Sequence, residues 1–400
     1  MPKPFILLAG ISGTGKTRFV REQAKLTGDI NETYSLIPVR PDWHDPSDLL
    51  GYISRLGVEA EYVVTDTLEF VVRAWKDIAD RGLSFDNSEL GWGNATPNNH
   101  KVRPFWLCLD EMNLAPVEQY FADYLSVLET RKWANANELA AGEPIYQCEA
   151  LVKPQMIEQL SKTRQQKLKA DLKLTGPGYQ KLWDYFICKG IPLPFNLIVV
   201  GTVNMDETTY GFSRKVIDRA LTFDFGVFFP NDFAHFFHAP HKIKPLGFPQ
   251  LSHVTKQDLS SVKADPSGQK SITFLTQVNA LLKHTPFELA YRALSELLLA
   301  VFCFKPKDEA ELQAVWDDFL MCKLFPRIDG DAHKLRSLLT ELAQQLKAQL
   351  HLIWDAPRIE LLLTGDEATA KALTTSCRSK IKLDWMSARL EHNGFTSFWP

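Results

Sequence analysis

The stretch FILLAGISGTGKT, residues Phe5–Thr17, decides the fold class because it joins an apolar run to a glycine-rich loop. The loop GISGTGKT fits the spacing G-x-x-x-x-G-K-[ST], and a helix-favouring segment follows it as far as Gly28. Glycines in such a loop let backbone N–H groups turn towards phosphate oxygens, and a helix amino terminus adds favourable potential. The stretch therefore predicts a strand, a phosphate-binding loop and a helix, in that order.

Seven residues of this loop are candidate nucleotide contacts. Lys16 is expected to reach the β- and γ-phosphates, and the hydroxyl of Thr17 is expected to bind Mg²⁺. A glycine-rich turn that matches by chance is the structural alternative, and the strand before the loop and the helix after it argue against that. The predicted contacts are Gly10, Ser12, Gly13, Thr14, Gly15, Lys16 and Thr17.

A second apolar run, FWLCLDE at Phe105–Glu111, ends in two acidic residues. Because ligands of α/β sheets bind at the carboxyl ends of the strands, both carboxylates are expected near the loop. Asp110 would hold Mg²⁺, directly or through water, and Glu111 would polarise an attacking water. Strands often end in acids, so this run gains its meaning from the glycine-rich loop that precedes it in the chain.

A third apolar run, LIVVGTV at Leu197–Val203, ends on Asn204. An unpaired amide at a buried strand tip is costly, so Asn204 needs a partner. If this strand lies beside the other two, the amide can orient the attacking water or contact the γ-phosphate; the alternative is a cap on the following turn. Together with YSLIPV at Tyr34–Val39 and FDFGVFF at Phe223–Phe229, these runs predict a parallel sheet covered on both faces by helices.

The sequence pattern changes after Pro230. Residues 233–270 are rich in Pro, His and Ser and predict a linker. From residue 271 onward, apolar side chains recur three and four positions apart, which is typical of helices. The sequence therefore predicts an α/β domain over residues 1–232 and a smaller all-helical domain over residues 271–400. A length of 400 residues fits two or three domains of roughly 100–200 residues each.

Residues 131–195 form a long excursion between the second and third apolar runs. Its part 151–190 carries eight cationic and three acidic side chains, which leaves a net charge of +5. A solvated helical insertion is one interpretation, and a surface for nucleic acid or a protein partner is the other. The cationic residues are Lys153, Lys162, Arg164, Lys167, Lys169, Lys173, Lys181 and Lys189.

Arginines are the remaining candidates for the site. Arg219 ends a predicted helix, SRKVIDRA, that would carry it away from its own nucleotide. Arg219, and secondarily Arg214, are therefore candidate fingers that act on the nucleotide of a neighbouring subunit. The alternative is a local ion pair, since Asp218 is adjacent to Arg219 and four residues after Arg214. Arg292 lies in an apolar segment and needs an anion, either a bound phosphate or Glu296.

Composition limits the class of protein. A net charge of −3 argues against a protein that coats nucleic acid through charge alone, and 45% hydrophobic residues are ordinary for a globular protein. The six cysteines lie far apart without a C-x-x-C pair, which disfavours a zinc site or a disulfide framework and fits a reducing compartment. No leader opens the chain and no apolar run approaches the ~18 residues needed to cross a bilayer, so we expect a cytoplasmic protein.

The order of glycine-rich loop, acidic pair, asparagine, arginine and helical region resembles an AAA+ NTPase. In detail it looks like the McrB-type branch, the nucleotide-driven motor of methylation-dependent restriction systems. The resemblance covers most of the chain and is weakest over residues 131–195. The segments that carry it are LDEMNLAPVEQYFADYLSVLE (Leu109–Glu129), GTVNMDETTYGFSRKVIDRA (Gly201–Ala220), VRPDWHDPSDLLGYI (Val39–Ile53), FELAYRALSEL (Phe287–Leu297), LFPRIDGDAHKL (Leu324–Leu335) and the closing GFTSFWP.

The resemblance implies a ring, expected to be hexameric, that binds nucleotide between subunits and hydrolyses ATP or GTP with Mg²⁺. It also implies a role for each candidate residue, in agreement with the roles expected from the residue types. By resemblance, the Walker A residues are Lys16 and Thr17, the Walker B residues are Asp110 and Glu111, sensor 1 is Asn204, the finger is Arg219 and sensor 2 is Arg292.

Partners and nucleotide choice follow from the same resemblance. It implies a separate nuclease subunit of the McrC type, contact with DNA through that complex, no membrane, and a central pore faced by residues 131–195. The residues VNMDE depart from the M-N-T-A-D signature of the GTP-preferring McrB, which favours ATP slightly. Two alternatives remain: a MoxR-like chaperone that remodels proteins, and a nucleotide-gated scaffold that turns over slowly.

Overall fold

A parallel five-stranded sheet forms the centre of the computed structural model, which describes residues 1–81, 102–134, 145–205, 212–230, 233, 241–365 and 373–399. Its strands lie in the order β5-β1-β4-β3-β2, and each pairs in parallel with its neighbours. The prediction of an α/β fold around a parallel sheet is therefore confirmed. The strands are β1 at Phe5–Gly10, β2 at Tyr34–Pro38, β3 at Phe105–Asp110, β4 at Leu197–Asn204 and β5 at Leu221–Asp224.

Helices surround this sheet and make up most of the C-terminal part. The longer ones are Lys16–Thr27, Asp66–Asp80, Ala122–Glu129, Lys162–Asp171, Gln180–Lys189, Gln269–Leu282, Tyr291–Phe304, Glu309–Phe319, Ala332–Gln349 and Arg378–Asn393. Short helices lie at Ile30–Thr33, Pro46–Leu50, Val117–Tyr120, Pro154–Glu158, Arg214–Ile217, Phe225–Phe228 and Lys256–Leu259. A π-helical turn at Leu320–Leu324 continues into a 3₁₀ turn at Phe325–Arg327.

Short antiparallel strand pairs accompany these elements, and three of them involve the C-terminal part. The prediction that this part is all-helical is therefore wrong, because pairs of two or three residues are too short to show an alternating pattern. The three pairs are Lys242–Ile243 with Leu363–Thr364, Asp329–Asp331 with Phe395–Ser397, and Arg358–Ile359 with Thr374–Thr375. The others are Tyr52–Ser54 with Glu61–Val63, Lys132–Ala134 with Ile145–Gln147, and Ala150–Val152 with Ile191–Pro192.

The two faces of the sheet belong to two different apolar cores. Phe5 and Leu7 of β1 are fully buried in one core, which also contains the helix Asp66–Asp80 and the excursion before β4. Ile6 and Leu8 are fully buried in the other core, which continues into the C-terminal helices. The alternation follows from the two-residue period of a strand. The C-terminal helices therefore cover one face of the sheet.

The last strand of the central sheet, β5, differs from its prediction. FDFGVFF was expected to form a strand, but β5 begins at Leu221 and ends at Asp224, and a helical turn follows at Phe225–Phe228. Phe225 and Phe228 of this turn are buried, and Phe225 and the half-buried Phe229 that follows the turn both pack against Phe19. An apolar run alone does not distinguish a buried strand from a buried turn of helix, which explains the error.

The basic excursion combines strand pairs with three helices, so it is more mixed than a purely helical insertion. Several of its cations are paired with carboxylates from outside the segment. Arg164 and Lys167 both contact Glu61, at 2.7 and 2.8 Å, and Lys173 contacts Glu69 at 2.5 Å. These pairs reduce the charge available to a partner, and residues 135–144 of the excursion lie outside the described part.

Among the described residues, we find no helix that is both long enough and apolar enough to cross a membrane.

Candidate active site

The glycine-rich loop leaves the carboxyl end of β1 and leads directly into the helix Lys16–Thr27. Gly13 and Gly15 have φ angles of 78° and 93°, in the left-handed region that favours glycine. A Cβ atom added to either residue would meet no other atom within 4 Å, so backbone conformation, not crowding, requires glycine here. The loop is therefore open on its outer side and has the strand–loop–helix context predicted for phosphate binding.

Lys16 begins the helix and turns back over the loop. Its side chain is almost completely buried, with 5% exposed. Its Nζ donates hydrogen bonds to the carbonyl oxygens of Gly10 and Ile11, at 2.9 and 2.8 Å. The ammonium group is thus held against the backbone carbonyls of the loop.

Asp110 ends β3 and is the centre of a hydrogen-bonded group. Thr17 Oγ1 donates to Asp110 Oδ1 at 2.8 Å, and Thr202 Oγ1 donates to the same oxygen at 2.7 Å. Thr17 comes from the helix after the loop and Thr202 from β4, so three elements meet at one carboxylate. This arrangement joins the two residues predicted to bind Mg²⁺.

Glu111 follows Asp110 and has a φ of 52°, which is unusual for a residue other than glycine. Its backbone N–H donates to Thr202 Oγ1 at 2.9 Å, and its Oε1 accepts a hydrogen bond from Asn204 Nδ2 at 2.9 Å. The Asn204 carbonyl accepts in turn from Asn113 Nδ2 at 2.9 Å. The amide at the tip of β4 therefore fixes the orientation of the Glu111 carboxylate.

Strand register explains why these side chains meet. Gly10 of β1 lies opposite Asn204 of β4, and Pro38 of β2 lies opposite Asp110 of β3. Because β4 lies between β1 and β3, its tip is next to both the loop and the acidic pair. Gly201 of β4 allows this packing, since a Cβ there would lie 2.4 Å from the Met112 sulfur.

Arg219 and Arg292 do not join this group. Arg219 lies two residues before β5, at the amino-terminal edge of the sheet, and β5 begins opposite Ile6. Arg219 Nε is 2.9 Å from Glu129 Oε1, and Arg292 contacts the same oxygen. Both arginines therefore lie on the edge opposite the glycine-rich loop. The six residues of β1 separate the two edges by about 17 Å, at roughly 3.3 Å per residue.

A cavity of about 220 Å³ lies beside these arginines. Its wall contains five cationic side chains and two carboxylates, so its charge favours an anion. The charged residues are Lys3, Arg131, Lys132, Arg219, Arg292, Glu129 and Glu296.

The local ion pairs considered for the arginines do not form. Glu296 does not pair with Arg292, whose side chain is 48% exposed and lies against Glu129. Asp218 contacts Arg327, with Nε 3.3 Å from Oδ1. A spacing of four residues does not predict these ion pairs, because Glu129 lies closer to Arg292, and Arg327 closer to Asp218, than the neighbours within the same segment.

Arg214 is separate from both groups. Its Nη1 donates to the Pro286 carbonyl at 2.9 Å, and its guanidinium lies 5.2 Å from the centre of the Phe287 ring. Its distance to Asp329 is 3.8 Å, so that ion pair is loose. Arg214 therefore contacts the C-terminal part at Pro286 and Phe287 and does not lie beside Arg219.

Two residues of these groups were missed by the sequence analysis: Thr202 and Glu129. Thr202 had a usable signal, because it lies two residues before Asn204 and so faces the same side of β4. Glu129 ends a helix without any motif, and nothing local predicts its arginine partners. The departure VNMDE includes Asp206 and Glu207, which lie outside the described residues.

Comparison with known proteins adds one match. Residues 250–395 match a family model described as a domain of unknown function, DUF8727. The match covers little more than a third of the chain, and it begins after the glycine-rich loop, the acidic pair, Asn204 and Arg219. No curated protein matches the chain. The matched description assigns no activity, so the case for a function rests on the geometry of the site.

Proposed function

We propose that this chain is a Mg²⁺-dependent P-loop nucleoside triphosphatase of the AAA+ type. The observation that carries the proposal is the convergence of Thr17, Asp110 and Thr202 at the tips of three elements. Lys16 and the Asn204–Glu111 pair lie at the same edge of the sheet. A structural role alone does not require a loop lysine, two hydroxyls and two carboxylates at one strand edge.

The residues present fit Mg²⁺. Thr17 and Asp110 offer a hydroxyl and a carboxylate whose oxygens lie 2.8 Å apart, and both are hard ligands of the type that Mg²⁺ accepts beside phosphate oxygens. When bound, the ion would offset the charge that develops on the transferred phosphoryl group. Thr202 orients the Asp110 carboxylate by donating a hydrogen bond to its Oδ1.

The protein side chains have distinct tasks in hydrolysis. Lys16 gives a positive charge to the β- and γ-phosphates above the loop. Glu111 accepts a hydrogen bond from the attacking water and raises its nucleophilicity. Asn204 holds the Glu111 carboxylate in one orientation, so less reorganisation is needed in the transition state.

Arg219 lies too far from the loop of its own chain to touch a nucleotide there. An arginine side chain is much shorter than the distance between the two edges of the sheet. Its position supports a shared site, in which one copy places Arg219 and its cavity against the nucleotide held by the next copy. Repetition of such a head-to-tail contact closes a ring.

The resemblance to the McrB-type branch makes the proposal more specific. We propose a hexameric motor in the cytoplasm that works in antiviral defence with an McrC-like nuclease subunit and reaches DNA through that complex. The chain hydrolyses ATP or GTP, and ATP is slightly favoured because the residues VNMDE at 203–207 depart from the signature of the GTP-preferring member.

Phosphate release with ATP and with GTP, measured over a range of protein concentrations, tests the proposal. The rate per subunit is expected to rise with protein concentration, because the site needs two copies. Glu111→Gln keeps the shape of the side chain and should lower kcat by about 10²-fold or more while nucleotide still binds. Glu341→Gln is the matched control, because Glu341 is exposed and lies on the helix Ala332–Gln349 of the C-terminal part.

Each outcome separates the alternatives. Hydrolysis that a protein client stimulates and DNA leaves unchanged would favour the MoxR-like chaperone. Nucleotide binding with assembly but a slow rate at every concentration would favour the scaffold. Equal rates for the wild type and Glu111→Gln would overturn the proposed catalytic site.

A further inference from the structure

The turn that carries Arg219 has an unusual set of partners for its backbone. Arg219 follows the short helix Arg214–Ile217, and the carbonyl groups at a helix end have no partner within the helix. Three carbonyls at and just beyond this helix end, those of Ile217, Asp218 and Ala220, accept hydrogen bonds from one buried lysine. A side chain therefore adds to the backbone hydrogen bonds of this turn, in which the N–H groups of Arg219 and Ala220 donate to the Val216 and Ile217 carbonyls.

That lysine is Lys323, with 4% of its surface exposed. Its Nζ is 2.9 Å from the carbonyl oxygens of Asp218 and Ala220, and 3.4 Å from that of Ile217. A fourth partner is Glu296 Oε2, at 2.9 Å. The three N–H donors of the ammonium group are therefore fully used.

Lys3 strengthens the same arrangement from the other end of the chain. Its Nζ donates to the Asp218 carbonyl at 2.8 Å and pairs with Glu296. Glu296, with 4% of its surface exposed, is thus the shared counter-ion of two lysines. Arg327 adds a contact with the Asp218 carboxylate. Both backbone and side chain of Asp218, the residue before Arg219, are fixed.

The segment that provides Lys323 has a special backbone. It forms the π-helical turn Leu320–Leu324, and the 3₁₀ turn Phe325–Arg327 follows directly. Single π turns are rare and are frequent at functional sites. Replacement of a buried charge pair by apolar residues is often neutral or stabilising, so stability alone does not explain why a lysine is present.

We infer that Lys323 is a positioning residue for Arg219: it fixes the turn 217–220 so that the guanidinium points along the amino-terminal edge of the sheet. This inference rests on the proposed function, because it requires that Arg219 act on the nucleotide of a neighbouring copy. The inference gives the C-terminal part a role in hydrolysis. Lys323, which binds the carbonyls of the turn 217–220, belongs to the π-helical turn, and its partner Glu296 belongs to the helix Tyr291–Phe304.

A double-mutant cycle in the full-length chain tests this inference. Arg219→Ala is expected to lower kcat by about 10³-fold, as for other arginine fingers. Lys323→Met is expected to lower kcat about 30-fold with the KM for nucleotide within about twofold, because the glycine-rich loop is unchanged. In the Arg219→Ala background, Lys323→Met should cause no further loss.

Lys382→Met is the matched control. Lys382 is another buried lysine, also 4% exposed, but its partner is Asp224, at 2.8 Å, at the opposite end of β5. Whatever its effect on the rate, that effect should be the same with and without Arg219. If Lys323→Met does not fold, Lys3→Met removes one contact to the Asp218 carbonyl and should show a smaller, equally non-additive loss.

The possible failures can be told apart. No change in rate for Arg219→Ala would overturn the shared site in the proposed function. A loss from Lys323→Met that is as large without Arg219 as with it would overturn the inference alone. Hydrogen exchange gives a readout without hydrolysis: amides 217–221 should exchange at least tenfold faster in Lys323→Met, and unchanged exchange would also overturn it.

Discussion

Arg219 and Glu129 are joined by two contacts, with Nε 2.9 Å from Oε1 and Nη2 donating to Oε2 at 2.9 Å. Arg292 approaches the same carboxylate from the C-terminal part. One glutamate therefore holds two of the three arginines that were predicted to contact phosphate. In a shared site, a phosphate group from the neighbouring copy would compete with Glu129 for both guanidinium groups.

Removal of this charge should favour assembly. In Glu129→Gln, Arg219 and Arg292 lose the carboxylate that pairs with them among the described residues, so the protein concentration for half-maximal nucleotide hydrolysis is expected to fall about threefold, in keeping with about 0.5–1 kcal/mol for a partly exposed ion pair. Asp123→Asn, an exposed residue on the same helix, is the control and should change nothing. A higher half-maximal concentration would mean that Glu129 aligns the arginines and does not restrain them.

Thr202 should matter for Mg²⁺ because it orients Asp110. Thr202→Val keeps the shape but removes the hydroxyl that donates to Asp110 and accepts from the Glu111 amide. The Mg²⁺ concentration for half-maximal activity is expected to rise roughly 10-fold or more. Thr222→Val on β5 is the matched control, since Thr222 is fully buried and its hydroxyl has no hydrogen-bond partner among the described residues. Equal effects of the two changes would contradict the role given to Thr202.

Lys3 should make stability depend on pH. Burial, together with the nearby charge of Lys323, lowers the pKa of Lys3 from 10.5 to about 7. Between these values the unfolded chain binds more protons than the folded one, so the free energy of unfolding should rise as pH rises through this window. The difference in unfolding free energy between wild type and Lys3→Met is expected to increase by about 2 kcal/mol from pH 7.5 to 9.5, as measured by urea denaturation. A difference that stays constant over that range would show that Lys3 keeps its ordinary pKa.

A buried ion-pair network should dominate the stability of the C-terminal part. Arg358 is fully buried, and its Nε lies 2.7 Å from Asp317 Oδ2 and its guanidinium also contacts Asp318. Arg358→Met leaves buried carboxylates without their partner and is expected to cost about 3–5 kcal/mol in urea denaturation. Lys380→Met breaks the exposed pair with Asp355 and should cost under about 1 kcal/mol. Similar costs would mean that water reaches the buried network.

Much of the site could be predicted because its residues follow strands. The loop, Asp110, Glu111 and Asn204 each come directly after an apolar run, and strand tips on one edge of a parallel sheet meet regardless of loop length. The helix after the loop ends at Thr27, next to the predicted stop at Gly28.

The partners of the arginines could not be predicted in this way. Glu129 reaches Arg292 across more than 160 residues of sequence, and this contact depends on how the C-terminal helices pack on the sheet. Spacing within one helix suggested Glu296 instead, yet Glu296 is drawn to the two lysines that hold the turn before β5. Residue charge in the sequence identifies possible ion-pair partners, but tertiary packing determines which of them lie close enough to pair.

The order of strands also has a consequence for synthesis on the ribosome. β1 is made before both of its neighbours in the sheet, β4 and β5, which end at residues 204 and 224. At roughly 5–20 residues per second, the emerging β1 waits about ten seconds or longer for its first neighbour. During that time FILLA is an apolar segment without its neighbouring strands, and chaperones that hold exposed apolar segments are expected to bind it. The glycine-rich loop therefore cannot reach its final conformation until the strands on either side of β1 have been made.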